Sequence, residues 1–180
     1  MFKYIVNEDI ELRLLQIKDS EELFQLMDSC REHLREWLPW VDASKSSEDT
    51  KVFIQSTMDQ FASNNGFQAG IWCKGQIAGV IGYHGMNLAN KSTSIGYWLS
   101  EKFVGKGIMT KACKVLVDYA ITDLNLNRVE IRCAENNYKS RAIPERLGFT
   151  NEGMIREAEW LYDHYVNHIV YGILASDWNL

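Results

Sequence analysis

The chain of 180 residues has only two prolines, Pro39 and Pro144, and no glycine- or serine-rich run, charge block or internal repeat. Nothing marks a linker, so one domain spanning residues 1–180 is expected. No segment approaches the roughly 20 apolar residues of a membrane-spanning helix. The N-terminus carries acids where a signal peptide has its apolar core, so a cytoplasmic protein is expected. Four cysteines (Cys30, Cys73, Cys113 and Cys133) lie far apart without a C-x-x-C pair, which suits reduced, mostly buried thiols. Basic residues are in deficit, 19 against 24 acids, a formal charge of −5. That balance argues against direct nucleic-acid binding, which needs a basic surface, and leaves a cationic partner open. Hydrophobic residues at 46% and charged residues at 24% exclude disordered and fibrous chains.

What is present reads as an α+β pattern. Glu11 to Leu14 alternates as a short strand, and Asp19 with Glu22 forms a box-like cap for a helix burying Leu23, Leu26, Met27 and Cys30. Leu34 to Trp40 is a short apolar turn that bends before Pro39. A helix opening at Ser46 or Ser47 shows Ile54, Met58 and Phe61 on one face, and Asn64-Asn65-Gly66 stops it. Phe67–Cys73 and Gln76–Gly82 form a hairpin about Lys74-Gly75, and Thr93–Leu99 adds a third strand. After a glycine-bearing loop comes a helix with the stripe Ile108, Ala112, Val115, Leu116 and Tyr119. Arg128–Cys133 is a strand, Tyr138–Leu147 a helix, and Met154–Leu161 with Tyr165–Leu174 a closing hairpin around Asp163. The order β-α-α-βββ-α-β-α-ββ implies a mixed, mostly antiparallel sheet flanked by helices.

Val104-Gly105-Lys106-Gly107-Ile108-Met109-Thr110 is the most informative stretch. Two glycines between a strand and a helix let backbone N–H groups converge beside the positive end of the helix dipole, a nest for phosphate or pyrophosphate. A Walker A loop is excluded by the spacing of Lys106. A dinucleotide fingerprint lacks its third glycine, Thr110 standing there, although Glu130 lies about 20 residues on, where that fold places an acid.

In this order and spacing, three blocks resemble the GCN5-related N-acetyltransferase (GNAT) superfamily. They are Ser94-Ile95-Gly96-Tyr97-Trp98-Leu99, Gly105-Lys106-Gly107-Ile108-Met109-Thr110, and Asn137-Tyr138-Lys139-Ser140-Arg141-Ala142 with Glu145-Arg146-Leu147-Gly148-Phe149. The likeness runs from about Ile10 to Ile173. Leu34–Trp40 and Arg156-Glu157-Ala158-Glu159-Trp160 look most like the RimJ/RimL branch, which acetylates the N-termini of ribosomal proteins. The resemblance implies the GNAT fold and direct transfer from acetyl-CoA to a primary amine, with no metal. It assigns Gly105, Lys106, Gly107, Ile108, Met109 and Thr110 to the cofactor's pyrophosphate, Asn137 to its pantetheine arm, and the main chain of Trp98 and Leu99 to the thioester oxygen. It makes Glu159 the base and Ser140 the proton donor, with Glu157, expected on the same strand face, as the rival base. The tyrosine that many members use as general acid is replaced here by Pro144. Val104 and Met109 depart from the usual first and last residues of the loop.

Trp37 and Trp40 are candidates for the acceptor cleft. His164 and His168, four apart in a strand, lack a third zinc ligand; His33 and His84 stand alone, and no cysteine–histidine pattern supports an acyl-enzyme. The favoured acceptor is a ribosomal protein N-terminus; a polyamine, an amino acid or an aminoglycoside are the alternatives, and an acyl-CoA-binding sensor without turnover is the rival from another class. The sequence leaves homo-oligomerisation open.

Overall fold

The computed structural model describes residues 3–178. Eight strands form one sheet among these residues, in the order β1-β2-β3-β4-β5-β6-β8-β7. They are β1 (Lys3–Ile5), β2 (Ile10–Leu14), β3 (Gln68–Cys73), β4 (Gln76–Asn87), β5 (Ser92–Leu99), β6 (Arg128–Ala134), β7 (Thr150–Leu161) and β8 (His164–Leu174). The helices are α1 (Ser20–Asp28), α2 (Arg31–Arg35), α3 (Ser47–Ala62), α4 (Ile108–Asp118) and α5 (Tyr138–Arg146). No described helix is long and apolar enough to cross a membrane.

Every neighbouring pair is antiparallel except β5 and β6, which α4 joins as a parallel crossover. Helices cover both faces. The larger core gathers α4 and α5 residues such as Ala112, Leu116 and Ile143 against Ile81, Tyr83, Val129 and Ile131. On the other face Leu23, Ile54, Trp72 and Val80 pack together, beside Met27, Leu34 and Val41. Covered on both sides, β4 buries seven consecutive residues from Ile77 to Tyr83 and loses the alternation of a half-exposed strand. The Tyr83 hydroxyl donates to the Leu116 carbonyl at 2.5 Å, tying α4 to the sheet.

Several sequence expectations change here. β1 and α2 are additional elements; three residues of β1 carry too little pattern to read. The Asp19–Glu22 box does not form. Asp19 instead accepts the Gln16 N–H at 2.8 Å, and Glu22 accepts the Ile77 N–H at 3.2 Å. Ser46 with Asp49 does box the start of α3. That helix buries Thr50, Ile54 and Thr57 and leaves Met58 and Phe61 exposed. Thr57 enters the core because its hydroxyl donates back to the Ile54 carbonyl at 2.8 Å. In α4, Tyr119 lies past the last α-helical residue, where the helix widens into a π turn over Tyr119–Asp123.

β5 and β6 stay paired for only three residues, Ser92↔Arg128 to Ser94↔Glu130. Beyond them β5 pairs with β4 alone and β6 with β8 alone, so the two strands part and open a slot.

Candidate active site

Along one edge of the slot runs the glycine loop. Gly105 (φ +76°) and Gly107 (φ +72°) both take left-handed backbone, and a Cβ at either would stand in open space. The first helical bond of α4 is Lys111 N–H to the Gly107 carbonyl at 3.2 Å, so the N–H groups of Ile108, Met109 and Thr110 lie outside the helical ladder. The Ile108 and Met109 side chains are buried in the core, so only their main chain can meet a ligand. Lys106 is exposed, and Arg146 of α5 donates to Thr110 Oγ1 at 3.2 Å. Free N–H groups, a helix start and two cations fit a diphosphate. Arg146 was legible only as part of a motif; the fold brings its charge to the loop.

Inside the slot three side chains meet. The Tyr97 hydroxyl donates to the Ser140 carbonyl at 3.0 Å, Ser140 Oγ donates to the Tyr97 hydroxyl at 3.3 Å, and Cys133 Sγ lies 3.4 Å from Ser140 Oγ. Pro144 is the reason the Ser140 carbonyl is available. Within α5 it has no N–H to return to the carbonyl four residues earlier, and the phenol replaces that donor. Burial, with the neighbouring thiols, pushes the Tyr97 phenol well above its ordinary value, and burial raises the Cys133 thiol. Asn137 caps α5, its Oδ1 accepting the Ser140 N–H at 3.3 Å, which leaves the amide N–H₂ to face a ligand. Sequence reasoning missed Tyr97 and Cys133 as neighbours of Ser140; Tyr97 was legible only as part of a motif and Cys133 only through strand alternation.

The other face of the slot is different. The Trp98 indole packs into the two smaller cores and lies 6.1 Å from Trp40 between ring centroids. Leu99 packs against the main core. The Ser100 N–H donates to the Ala78 carbonyl of β4 at 2.8 Å. Because N–H groups alternate along a strand, Trp98 turns its N–H toward β4, not toward the slot as expected, and Leu99 turns its own to the slot. Directly opposed residues of neighbouring strands share a face. Ala134↔His168 and Glu159↔Val166 therefore set Glu159 and His168 on the face away from Cys133 and Ser140. Glu159 Oε1 lies 3.8 Å from His168 Nε2, and Glu159 is the one half-buried residue between Thr150 and Trp160. Glu157 does not share its face as expected. β7 bulges between Ile155 and Glu159, and Glu157 (φ +48°) stands exposed on the bulge.

A cleft of about 540 Å³ opens between α2 and the β7–β8 hairpin, lined by Glu32, Glu36, Trp37, Glu135 and Asp163 among others. The hairpin tip holds it in shape. The Tyr162 hydroxyl donates to the Leu38 carbonyl at 2.5 Å and accepts the Val41 N–H at 3.2 Å, and Arg35 stacks 3.8 Å above its ring. Hydrogen bonding and charge from Arg35 hold the Asp42 carboxyl below its usual range, and His164 does so for Asp163. The structure separates the two tryptophans: Trp37 lines this cleft, whereas Trp40 sits beside Trp98. His164 pairs with Asp163 at 2.6 Å, and Glu130 is bound by Arg128 and Arg132 within the sheet.

The chain is similar to known proteins over nearly its whole length. Residues 9–150 match the model of an acetyltransferase (GNAT) domain. YdaF of Bacillus subtilis (strain 168) is 39% identical over 180 residues, covering 99% of this chain and 98% of its own. The ribosomal-protein-serine acetyltransferase of Escherichia coli (strain K12) is 30% identical over 160 residues, 89% of each chain. Among solved structures, RimL, a ribosomal L7/L12 α-N-protein acetyltransferase in complex with coenzyme A in disulfide with one of its cysteines, superimposes with a TM-score of 0.92. It is 28% identical and covers 96% of this chain and 98% of its own.

Proposed function

The chain belongs to the GNAT acetyltransferase family and is an acetyl-CoA-dependent N-acetyltransferase, and we propose that its acceptor is the N-terminal α-amine of a ribosomal protein. The observation that supports the catalytic part is that Ser140 meets Tyr97 and Cys133 where β5 and β6 part, with Glu159 half-buried beside His168 on the opposite face of the sheet.

In this reading residues 1–180 act as one acetyltransferase domain. The main chain of Gly105–Thr110, with Lys106 and Arg146, holds the diphosphate, and the Asn137 amide meets the pantetheine arm. The main-chain N–H of Leu99, on the side of β5 away from β4, faces the thioester oxygen and stabilises the oxyanion. Glu159, through a water, takes a proton from the amine as its nitrogen attacks the carbonyl carbon; the C–S bond then breaks and the thiolate is protonated from the Ser140 hydroxyl. The amine's proton passes from the water and Glu159 to solvent while the Ser140 alkoxide regains a proton from solvent, so amide and free thiol leave and both groups are reset. Cys133 against Ser140 supports a thiol end at this point, since the coenzyme A of RimL is joined to a cysteine. The acids of the cleft suit a cationic N-terminus, and a ribosomal acceptor puts the reaction in the cytoplasm.

Thiol release measured with acetyl-CoA against N-terminal peptides, polyamines and aminoglycosides tests the acceptor. Peptides are expected to give the highest kcat/KM; a polyamine in first place would replace this acceptor, and no turnover with any amine would favour a sensor. Glu159→Gln is expected to lower kcat by roughly 10²–10⁴ and to flatten the acidic limb of the pH–rate profile. Ser140→Ala costs less, about tenfold, because a thiol near pKa 8.5 leaves with little help. If Glu157→Gln loses both kcat and the limb while Glu159→Gln keeps them, the base is the other carboxylate.

A further inference from the structure

Between the pairs Ile155↔His168 and Glu159↔Val166, three residues of β7 (Arg156, Glu157 and Ala158) stand opposite one residue of β8, Asn167. A regular ladder continuing from Ile155↔His168 would set Glu159 opposite His164, at the hairpin turn. The bulge draws Glu159 back by two residues of β8, about 7 Å at the rise of a strand, to within 3.8 Å of His168. This displacement depends on a non-glycine residue held in left-handed backbone, Glu157 at φ +48°. An L-residue keeps that conformation only where its surroundings enforce it.

Asn167 supplies the enforcement. Its Oδ1 accepts the Glu157 N–H at 2.8 Å, and its Nδ2 donates to Glu135 Oε2 at 2.9 Å. A carboxylate only accepts, so Glu135 decides which end of the amide faces the bulge. The Asn167 carbonyl also accepts the Glu135 N–H at 2.9 Å, so the two residues grip each other through main chain and side chain. We infer that Asn167 is a positioning residue for Glu159: its carboxamide locks the β7 bulge that sets the base beside His168. This rests on the reading of Glu159 as the base.

The test compares kcat, acetyl-CoA affinity by calorimetry, and the pH–rate profile across a small set of variants of the full chain. Asn167→Ala is expected to lower kcat by at least roughly tenfold while acetyl-CoA affinity holds, since a base displaced by about 1 Å can cost up to about 10² in rate. Added to Glu159→Gln, it should cost nothing further, because a misplaced base and a missing base fail at the same step. Asn167→Asp should lose similarly, its carboxylate repelling Glu135. The combination Asn167→Asp/Glu135→Gln reverses the donor and acceptor and restores both bonds, so kcat and the acidic limb should return to near the level of Glu135→Gln alone. Wild-type kcat in Asn167→Ala beside an impaired Glu159→Gln overturns the positioning role and spares the base. Additive losses in the double variant also overturn it. Wild-type kcat in Glu159→Gln removes the base and the inference with it. If Asn167→Ala fails to bind acetyl-CoA, the swapped pair decides, and no recovery over Asn167→Asp overturns the inference.

Discussion

Pro144 shows how one residue reorganises a site. A helix-breaking residue inside α5 withholds one N–H, and the carbonyl so released, that of Ser140, is the acceptor for Tyr97. Tyr97→Phe should cost about 1–3 kcal/mol, since it strands a carbonyl in a partly buried place. Pro144→Ala returns an N–H to that carbonyl, so Tyr97→Phe/Pro144→Ala should recover part of the loss; equal urea midpoints for the single and double variants would break the link. Glu130 gives a pH-dependent case. Burial works to raise its carboxyl, but the hydrogen bonds and charges of Arg128 and Arg132 outweigh this and hold it below the usual range. Its stabilising contribution is therefore complete above the unfolded value near 4.3 and is lost as pH falls through the lower, folded one. Glu130→Gln should lose on the order of 1 kcal/mol at pH 7 and less at pH 2, measured by urea unfolding at both.

Two elements carry the proposed binding surfaces. In the glycine loop, Gly107 caps α4 in left-handed backbone with open space before it. Gly107→Ala meets no clash and should cost about 1–2 kcal/mol of stability for the backbone alone. Coenzyme A affinity should fall roughly tenfold, equivalent to about 1.4 kcal/mol, as the N–H groups turn away. Unchanged affinity by calorimetry would remove the diphosphate from this loop. The β7–β8 hairpin tip is the second element. Tyr162 fastens it to Leu38 and Val41, and with them the wall of the acidic cleft. Tyr162→Phe should raise the acceptor KM several-fold, for the loss of bonds worth about 1 kcal/mol, and leave the acetyl-CoA KM alone. A rise in the acetyl-CoA KM instead would assign the tip to the cofactor side.

At the scale of the molecule, the sheet is the device that joins these parts. Its strands hold together on either side of the β5–β6 slot, so the slot opens inside a rigid scaffold, with Ser140 on one face and Glu159 on the other. Local chemistry determined much of this from the sequence alone. Period-2 and helical patterns, a Gly-x-Gly loop before an amphipathic helix, and the motif spacing depend on neighbours along the chain. They placed α4, α5, β5, β6 and β8 close to their observed bounds, whereas β7 begins four residues before the expected Met154. Other features needed the folded chain. Thr57 buries and Met58 does not because α3 meets its neighbours along a face that hydropathy did not mark. Alternation put Glu157 and Glu159 on one face, but a bulge is a mismatch between two strands and cannot be read from either one. Tyr97, 43 residues from Ser140, and Asn167, 32 from Glu135, became partners only once β5, β6, β8 and α5 were laid side by side. Residue type and local order determined which chemistry the chain carries; strand register and the parting of β5 from β6 decided which side chains can act together, because those distances are set by pairing across the sheet.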